Sequence, residues 1–212
     1  MSAKSPTGSP SRNAWIAISE RVVHPTPILE VVEQRCRNSE TGKESTFTVL
    51  RSPDWCQVIP ITESGKILMI RQYRLGIAAH TLEVPGGMVD PEDKDSLATA
   101  IREMAEETGY APAPGATQKI LDWCYPNPAF LDNRTTACIV GPVRKAGATA
   151  FDESEMIDTV EVAIDEIPAR IASGEIRHSL TLITLFFLMM QSPEGLPLLR
   201  KELSAFSRPS RY

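Results

Sequence analysis

The chain has 212 residues, 42% of them apolar, which suits one domain of ordinary size or one domain with a small appendage. A formal net charge of −5 argues against a nucleic-acid surface but leaves anionic small molecules open, because a bound cation inverts local charge. Four scattered cysteines (Cys36, Cys56, Cys124, Cys138) without a C-x-x-C pair, and three unclustered histidines, argue against zinc, redox and His-based metal sites and for free thiols in a reducing cytosol.

Residues 1–13 are polar, rich in Ser and Pro and without the apolar segment of a secretory signal, so they read as a disordered tail. Apolar, β-branched runs follow at Trp15–Val23, Ile28–Cys36, Thr46–Leu50, Gln57–Ile61 and Ile67–Tyr73, parted by turn signals. This is antiparallel sheet material, and residues 14–51 form an N-terminal strand region. Thr81–Val84 is a short strand leading into Gly86-Gly87. A helix begins near Ser96, with Asp95 or Ser96 as N-cap, and stops at Gly109. Strands return at Lys119–Cys124, Thr136–Val140 and Thr159–Ala163. Ile167–Ser173 and Leu180–Met190 read as helices, the second apolar all round and therefore buried. That run is too short to span a bilayer, so a cytoplasmic protein with no membrane partner is expected. The main domain covers residues 52–192, and residues 193–212 hold a surface helix, Leu196–Phe206, and tail. Strands broken by few helices predict an α/β (α+β) layered domain.

The helix after the Gly-Gly turn carries Arg102, Glu103, Glu106 and Glu107. Three carboxylates at i, i+3 and i+4 share one face, opposite Leu97, Ile101, Met104 and Thr108. Their mutual repulsion weakens a helix unless a hard divalent cation, which prefers carboxylate oxygens, removes it. The plainer alternative is a solvated face.

Arg102-Glu103-Met104-Ala105-Glu106-Glu107-Thr108-Gly109-Tyr110 resembles the second half of the Nudix box, the signature of the Nudix hydrolases. The first half departs from that pattern. The loop after Gly87 is one residue longer, and Glu92 or Asp93 stands where the family has its first Glu. Arg71-Gln72-Tyr73-Arg74, Leu82-Glu83-Val84-Pro85-Gly86-Gly87, Tyr125-Pro126-Asn127-Pro128 and Gly174-Glu175-Ile176-Arg177-His178 resemble the ADP-ribose pyrophosphatase branch. The resemblance implies a Nudix fold, a mixed sheet sandwiched between helices. It also implies a homodimer across which the N-terminal strand region is exchanged or packed.

The implied activity is hydrolysis of the diphosphate linkage of ADP-ribose or a related nucleoside diphosphate sugar. The alternatives are a dinucleoside polyphosphate or a nucleoside triphosphate as substrate, or a module that senses a nucleotide without cleaving it. Mg²⁺ is the expected ion, with Mn²⁺ possible, on Glu103, Glu106, Glu107 and the Gly86 carbonyl. Arg102 orients these ligands. Arg71 and Arg74, three apart on a strand, point to opposite faces, and the match favours Arg74 as the phosphate contact. Glu83, Gly87 and Pro128 are further substrate-binding candidates, and Trp15, Trp55 and Trp123 either stack on a base or are buried. The general base is sought in the acidic loop Asp152-Glu153-Ser154-Glu155, with Glu155 preferred over Glu153, and failing that among Glu83, Glu106 and metal-activated water.

Overall fold

The computed structural model describes residues 14–150 and 156–191. The N-terminal tail, the acidic loop with Glu153 and Glu155, and the C-terminal helix at Leu196–Phe206 lie outside the described residues. The chain divides into two units, one of residues 1–53 with 127–133, the other of 54–126 with 134–212.

In the first unit, β1 (Trp15–Pro25), β2 (Glu30–Asn38) and β3 (Glu44–Arg51) form an antiparallel sheet in that order. Two short turns set the register. Thr26 bonds Leu29 through backbone and hydroxyl, and the Asn38 side chain accepts from the amides of Glu40 and Thr41 before Gly42 turns back at φ 67°. Val32 and Cys36 are buried, whereas Trp15, Ile16, Ile18, Val22 and Val23 of β1 and Phe47 of β3 are exposed.

The second unit holds β4 (Trp55–Thr62), β5 (Ile67–Arg74), β6 (Ala79–Glu83), β7 (Tyr110–Cys124), β8 (Thr135–Lys145) and β9 (Ile157–Val162). The sheet runs β6-β5-β4-β8-β7, with β9 also pairing β5. β4 and β8 pair in parallel and the other pairs are antiparallel, so the sheet is mixed. Side-chain alternation divides β4 and β8 between two cores. Cys56, Val58, Cys138 and Val140 pack on Ala100 and Met104 of α1 (Ser96–Thr108). Ile59, Ile61 and Ile139 pack on the opposite side with Leu182, Leu185 and Leu188 of α3 (Ser179–Met190), joined by Ile167 of α2 (Ile167–Ser173). A sheet with an apolar helix on each face is the sandwich expected from the sequence. Among the described residues no helix is long and apolar enough to cross a membrane.

Two elements depart from the sequence reading. β7 starts at Tyr110, nine residues before the predicted Lys119, because Pro112, Pro114 and Gly115 read as loop. They are tolerated because β7 is an edge strand and its register with β8 shifts between Pro112 and Thr117. α3 is not buried all round: only Thr181 and Thr184 are fully buried, and Phe186 and Met189 are about 40% exposed. One row of leucines, Leu182, Leu185 and Leu188, packs on the sheet. Trp15 and Trp123 are exposed, each held against an aromatic neighbour, Phe47 and Tyr125 respectively.

Candidate active site

Helix α1 is bounded by local chemistry. The Asp95 side chain accepts from the Ala98 amide at 2.9 Å, and Gly109 closes the C-terminus at φ 68° with its amide on the Ala105 carbonyl. Of the carboxylate arc only Glu106 keeps a substantially exposed side chain. Glu107 is buried and accepts the Gly86 amide at 2.9 Å, a charge-assisted bond that offsets the cost of burial.

Arg102 joins the helix to the loop before it. Its Nη1 donates to Glu103 Oε1 at 3.0 Å and Glu106 Oε2 at 2.9 Å, and Nη2 donates to Asp93 Oδ2 at 3.0 Å and the Met88 carbonyl at 3.2 Å. Asp90 adds an ion pair at 3.2 Å. Between the two loop carboxylates left open by the sequence, Asp93 makes this contact and Glu92 is exposed. The Arg102 guanidinium holds the Asp93 carboxyl down at about 2, helped by the Thr99 hydroxyl and the Asp90 amide.

The Gly-Gly turn runs along β4, with the Cys56 amide on the Gly87 carbonyl and the Val58 amide on the Pro85 carbonyl, both at 2.9 Å. A Cβ on Gly86 would collide with the Cys56 carbonyl oxygen and come within 2.9 Å of Gln57 Cα. A Cβ on Gly87 would instead collide with the Glu103 carboxylate. The turn thus approaches β4 on one side and the helix carboxylates on the other, which is why neither position carries a side chain.

Arg74 and Arg71 point to opposite faces of β5. Arg74 donates from Nε and Nη2 to both oxygens of Glu83, at 2.8 and 2.6 Å. Arg71 pairs with Glu175 at 2.5 Å and does not line the cleft described below. Glu83 is fully buried. Burial pushes its pKa up, but the hydrogen bonds from Arg74 and His178 outweigh burial and hold it at about 2. Thr81 donates its hydroxyl to Glu83 as well, and His178 Nδ1 lies 2.7 Å from Glu83 Oε2. His178 stands in the Gly174–His178 motif but was given no role from the sequence, and Thr81 and Gln57 were not singled out at all. A lone His and Thr carry no readable pattern, and only pairing of β5 with β6 and docking of α3 bring them to Glu83.

Two adjoining compartments share Arg74, Gly86, Gly87 and Met88. The larger, about 470 Å³, is lined further by Gln72, Asp90, Arg102, Glu103, Glu106, Glu107 and Ala150. The smaller, about 300 Å³, adds Trp55, Cys56, Gln57, His178 and Leu180. Glu83 lines neither, but it holds Arg74, which lines both, and His178, which lines the smaller. Pro128 is exposed and belongs to the first unit, and it lines neither compartment. Glu153 and Glu155 are outside the described residues, but the chain leading to them returns to α1. Ala146 and Gly147 bond the Gly109 carbonyl, and the Ala150 amide bonds the Glu106 carbonyl at 2.8 Å.

This fold and this helix define the Nudix class, and comparison with known proteins agrees. The family model of the NUDIX domain matches residues 56–181, and the chain belongs to that family. It is 30% identical over 167 residues to a methanol dehydrogenase activator of Bacillus methanolicus, a match covering 77% of this chain and 85% of that protein. It is 26% identical over 151 residues to an ADP-ribose pyrophosphatase of Bacillus subtilis (strain 168), covering 71% and 80% respectively. A crystal structure of an ADP compounds hydrolase shares the fold at a TM-score of 0.72 and 17% identity, covering 95% of this chain and all of that one. The protein is a Nudix pyrophosphatase.

Nudix hydrolases use divalent metal ions. Among the described residues no three acidic, His or Cys side chains stand close enough to form a ready cage, and Arg102 is bonded to two of the box glutamates. The donor chemistry nonetheless fits a hard cation. Glu103, Glu106 and Glu107 bring oxygen ligands to one compartment, and Gly87 leaves the space that the Glu103 carboxylate occupies.

Proposed function

We propose that the protein hydrolyses the diphosphate linkage of ADP-ribose or a related nucleoside diphosphate sugar with Mg²⁺, releasing a nucleoside monophosphate and a sugar phosphate. The observation that carries this reading is the pairing of compartments across Arg74. One is walled by box carboxylates and the other by Trp55, Met88 and Leu180, with polar groups from Gln57 and His178. Such a cleft suits a molecule with a dense negative centre and a less polar arm. The Bacillus subtilis relative, named an ADP-ribose pyrophosphatase, supports the same substrate class. The buried free thiols of Cys36, Cys56 and Cys138 suit a reducing, cytoplasmic setting.

In this reading Glu103, Glu106, Glu107 and the Gly86 carbonyl hold the ion, which when bound neutralises diphosphate charge and acidifies water. Arg102 keeps the glutamates in place from the loop side. Arg74 binds a phosphate oxygen through its guanidinium, and the two bonds it donates to Glu83 fix the plane of that fork. A water attacking phosphorus must lose a proton, and Glu155 is the preferred acceptor, with Glu153 next. Ala150 at the cleft rim brings the start of their loop to the larger compartment.

The test is turnover of a panel of nucleotide conjugates by the pure protein with Mg²⁺. ADP-ribose should yield AMP and ribose 5-phosphate with higher kcat/KM than ATP or a diadenosine polyphosphate. EDTA should abolish the activity, and Glu107→Gln should lower kcat by about 10²-fold or more while the protein stays folded. A triphosphate preferred tenfold would reassign the substrate. Full activity in EDTA would overturn the metal chemistry.

A further inference from the structure

Glu83 has no polar edge left for substrate. Arg74 reaches both of its oxygens, the Thr81 hydroxyl donates to Oε1, and His178 Nδ1 sits 2.7 Å from Oε2. An ionised carboxylate can only accept, so the hydrogen between Glu83 and His178 belongs to Nδ1. With Nδ1 holding its hydrogen toward Glu83, the ring is fixed as the Nδ1–H tautomer, whose lone pair lies on Nε2, as in a histidine oriented by a carboxylate behind it. Thr181 Oγ1, 3.3 Å from Nδ1, lies on the same buried side of the ring. His178 lines the smaller compartment beside Trp55, Met88 and Leu180, and with Nδ1 committed to Glu83 its Nε2 is the nitrogen left for that space.

An acceptor at that position does not suit a phosphate oxygen, which is itself an acceptor. Arg74, in the same wall, is the phosphate contact of the proposed reading. What complements Nε2 is a hydroxyl, and a nucleoside diphosphate sugar carries several close to its phosphates. We infer that His178 is a specificity-determining residue whose Nε2 accepts a hydrogen bond from a sugar hydroxyl of the substrate, while Glu83 ties this acceptor to Arg74. One buried carboxylate thereby sets the spacing between a phosphate donor on β5 and a hydroxyl acceptor at the start of α3. The inference rests on the diphosphate-sugar reading and extends it to the arm beside the cleavage site. A purely structural His178 at the N-cap of α3 would affect every substrate equally.

Two measurements test it. The protein has three histidines, so long-range proton–nitrogen correlation spectra of ¹⁵N-labelled protein resolve each ring, with His24→Gln and His80→Gln giving the assignment. His178 should carry its proton on Nδ1, and its Nε2 resonance should move to lower frequency when ADP-ribose is added in EDTA, with His24 and His80 unmoved. Protonation at Nε2, or a His178 signal unmoved at saturation, would overturn the inference without reference to turnover. The second measurement compares wild type with His178→Phe on ADP-ribose and two analogues. One has an alkyl group in place of the distal ribose, and the other has 2′,3′-dideoxyadenosine in place of adenosine. The variant should lose about tenfold or more in kcat/KM on ADP-ribose, the worth of one hydrogen bond made in the bound state. On the analogue lacking the partner hydroxyl that loss should shrink to about threefold or less. Equal losses on all three substrates, with wild type active, overturn the inference alone. A wild type that turns over no nucleoside diphosphate sugar overturns the substrate reading and the inference with it.

Discussion

Gly86 and Gly87 are adjacent, yet a methyl group at each would meet different matter. At Gly86 it strikes the backbone of Cys56 and Gln57, which cannot yield without moving β4. Gly86→Ala should therefore cost about 1–3 kcal/mol of stability, read as a lowered denaturant midpoint. At Gly87 it strikes only the end of the Glu103 side chain, which can swing away. Gly87→Ala should leave the midpoint within about 0.5 kcal/mol and lower kcat at least tenfold, because it displaces a carboxylate that the proposed function assigns to the metal. The opposite pattern would mean that the turn does not divide its two neighbours in this way. Glu153 and Glu155 are tested separately. A general base replaced by Gln should lower kcat by about 10²-fold with little change in affinity, and parental rates in both variants and in the double variant would remove this loop from the chemistry.

At the scale of elements, α1 and the loop before it are held together by one cation. Arg102 takes Asp93 and Asp90 from the loop and Glu103 and Glu106 from the helix. The Asp93 carboxyl, ordinarily near 3.8, is held at about 2 by Arg102. A depressed carboxyl binds fewer protons folded than unfolded. Its contribution to stability is therefore fully present above pH 4 or so and is lost as pH falls toward about 2. After discounting for solvent screening this contribution is about 1 kcal/mol. Wild type and Asp93→Asn should differ by that amount in urea unfolding at pH 6 and converge near pH 2. A gap that persists at low pH would assign the loss to packing and not to charge. The extra loop residue that sets this chain apart from the family pattern is accommodated here, with Asp93 on Arg102 and Glu92 exposed.

At the scale of the whole molecule, the three-stranded sheet of the first unit carries apolar side chains in the open. Trp15, Ile16, Ile18 and Val22 of β1 are each more than 40% exposed, and so is Ile28 in the turn that follows. Cross-strand ion pairs such as Arg21–Glu33 and Arg35–Glu44 serve the remaining surface. Single exposed apolar residues are ordinary, but a contiguous group on one strand marks an association surface. We propose that residues 14–51 form a homodimer contact. Light scattering at micromolar concentration should give twice the chain mass, and Ile16→Lys combined with Ile18→Lys should shift it toward the single chain. A wild-type monomer would remove the dimer from this account.

The family, the layered fold and the box helix were legible in the sequence, because each rests on local chemistry. Strand alternation, the Asp95 cap, the Gly109 stop and the i, i+3, i+4 carboxylates are all set by residues within two turns of one another. The edge strand β7 was half missed for the complementary reason. Its prolines look like loop until the sheet places them where no partner needs their missing amides. Burial of Glu107, the choice of Asp93 over Glu92, and the assembly of Arg74, Thr81, Glu83 and His178 depended on the tertiary structure alone. Glu83 and His178 are 95 residues apart in sequence, and no propensity or spacing encodes their meeting. Pairing of β6 with β5 and packing of α3 against the sheet bring them together, and a buried carboxylate must then find its donors among whatever side chains that packing supplies.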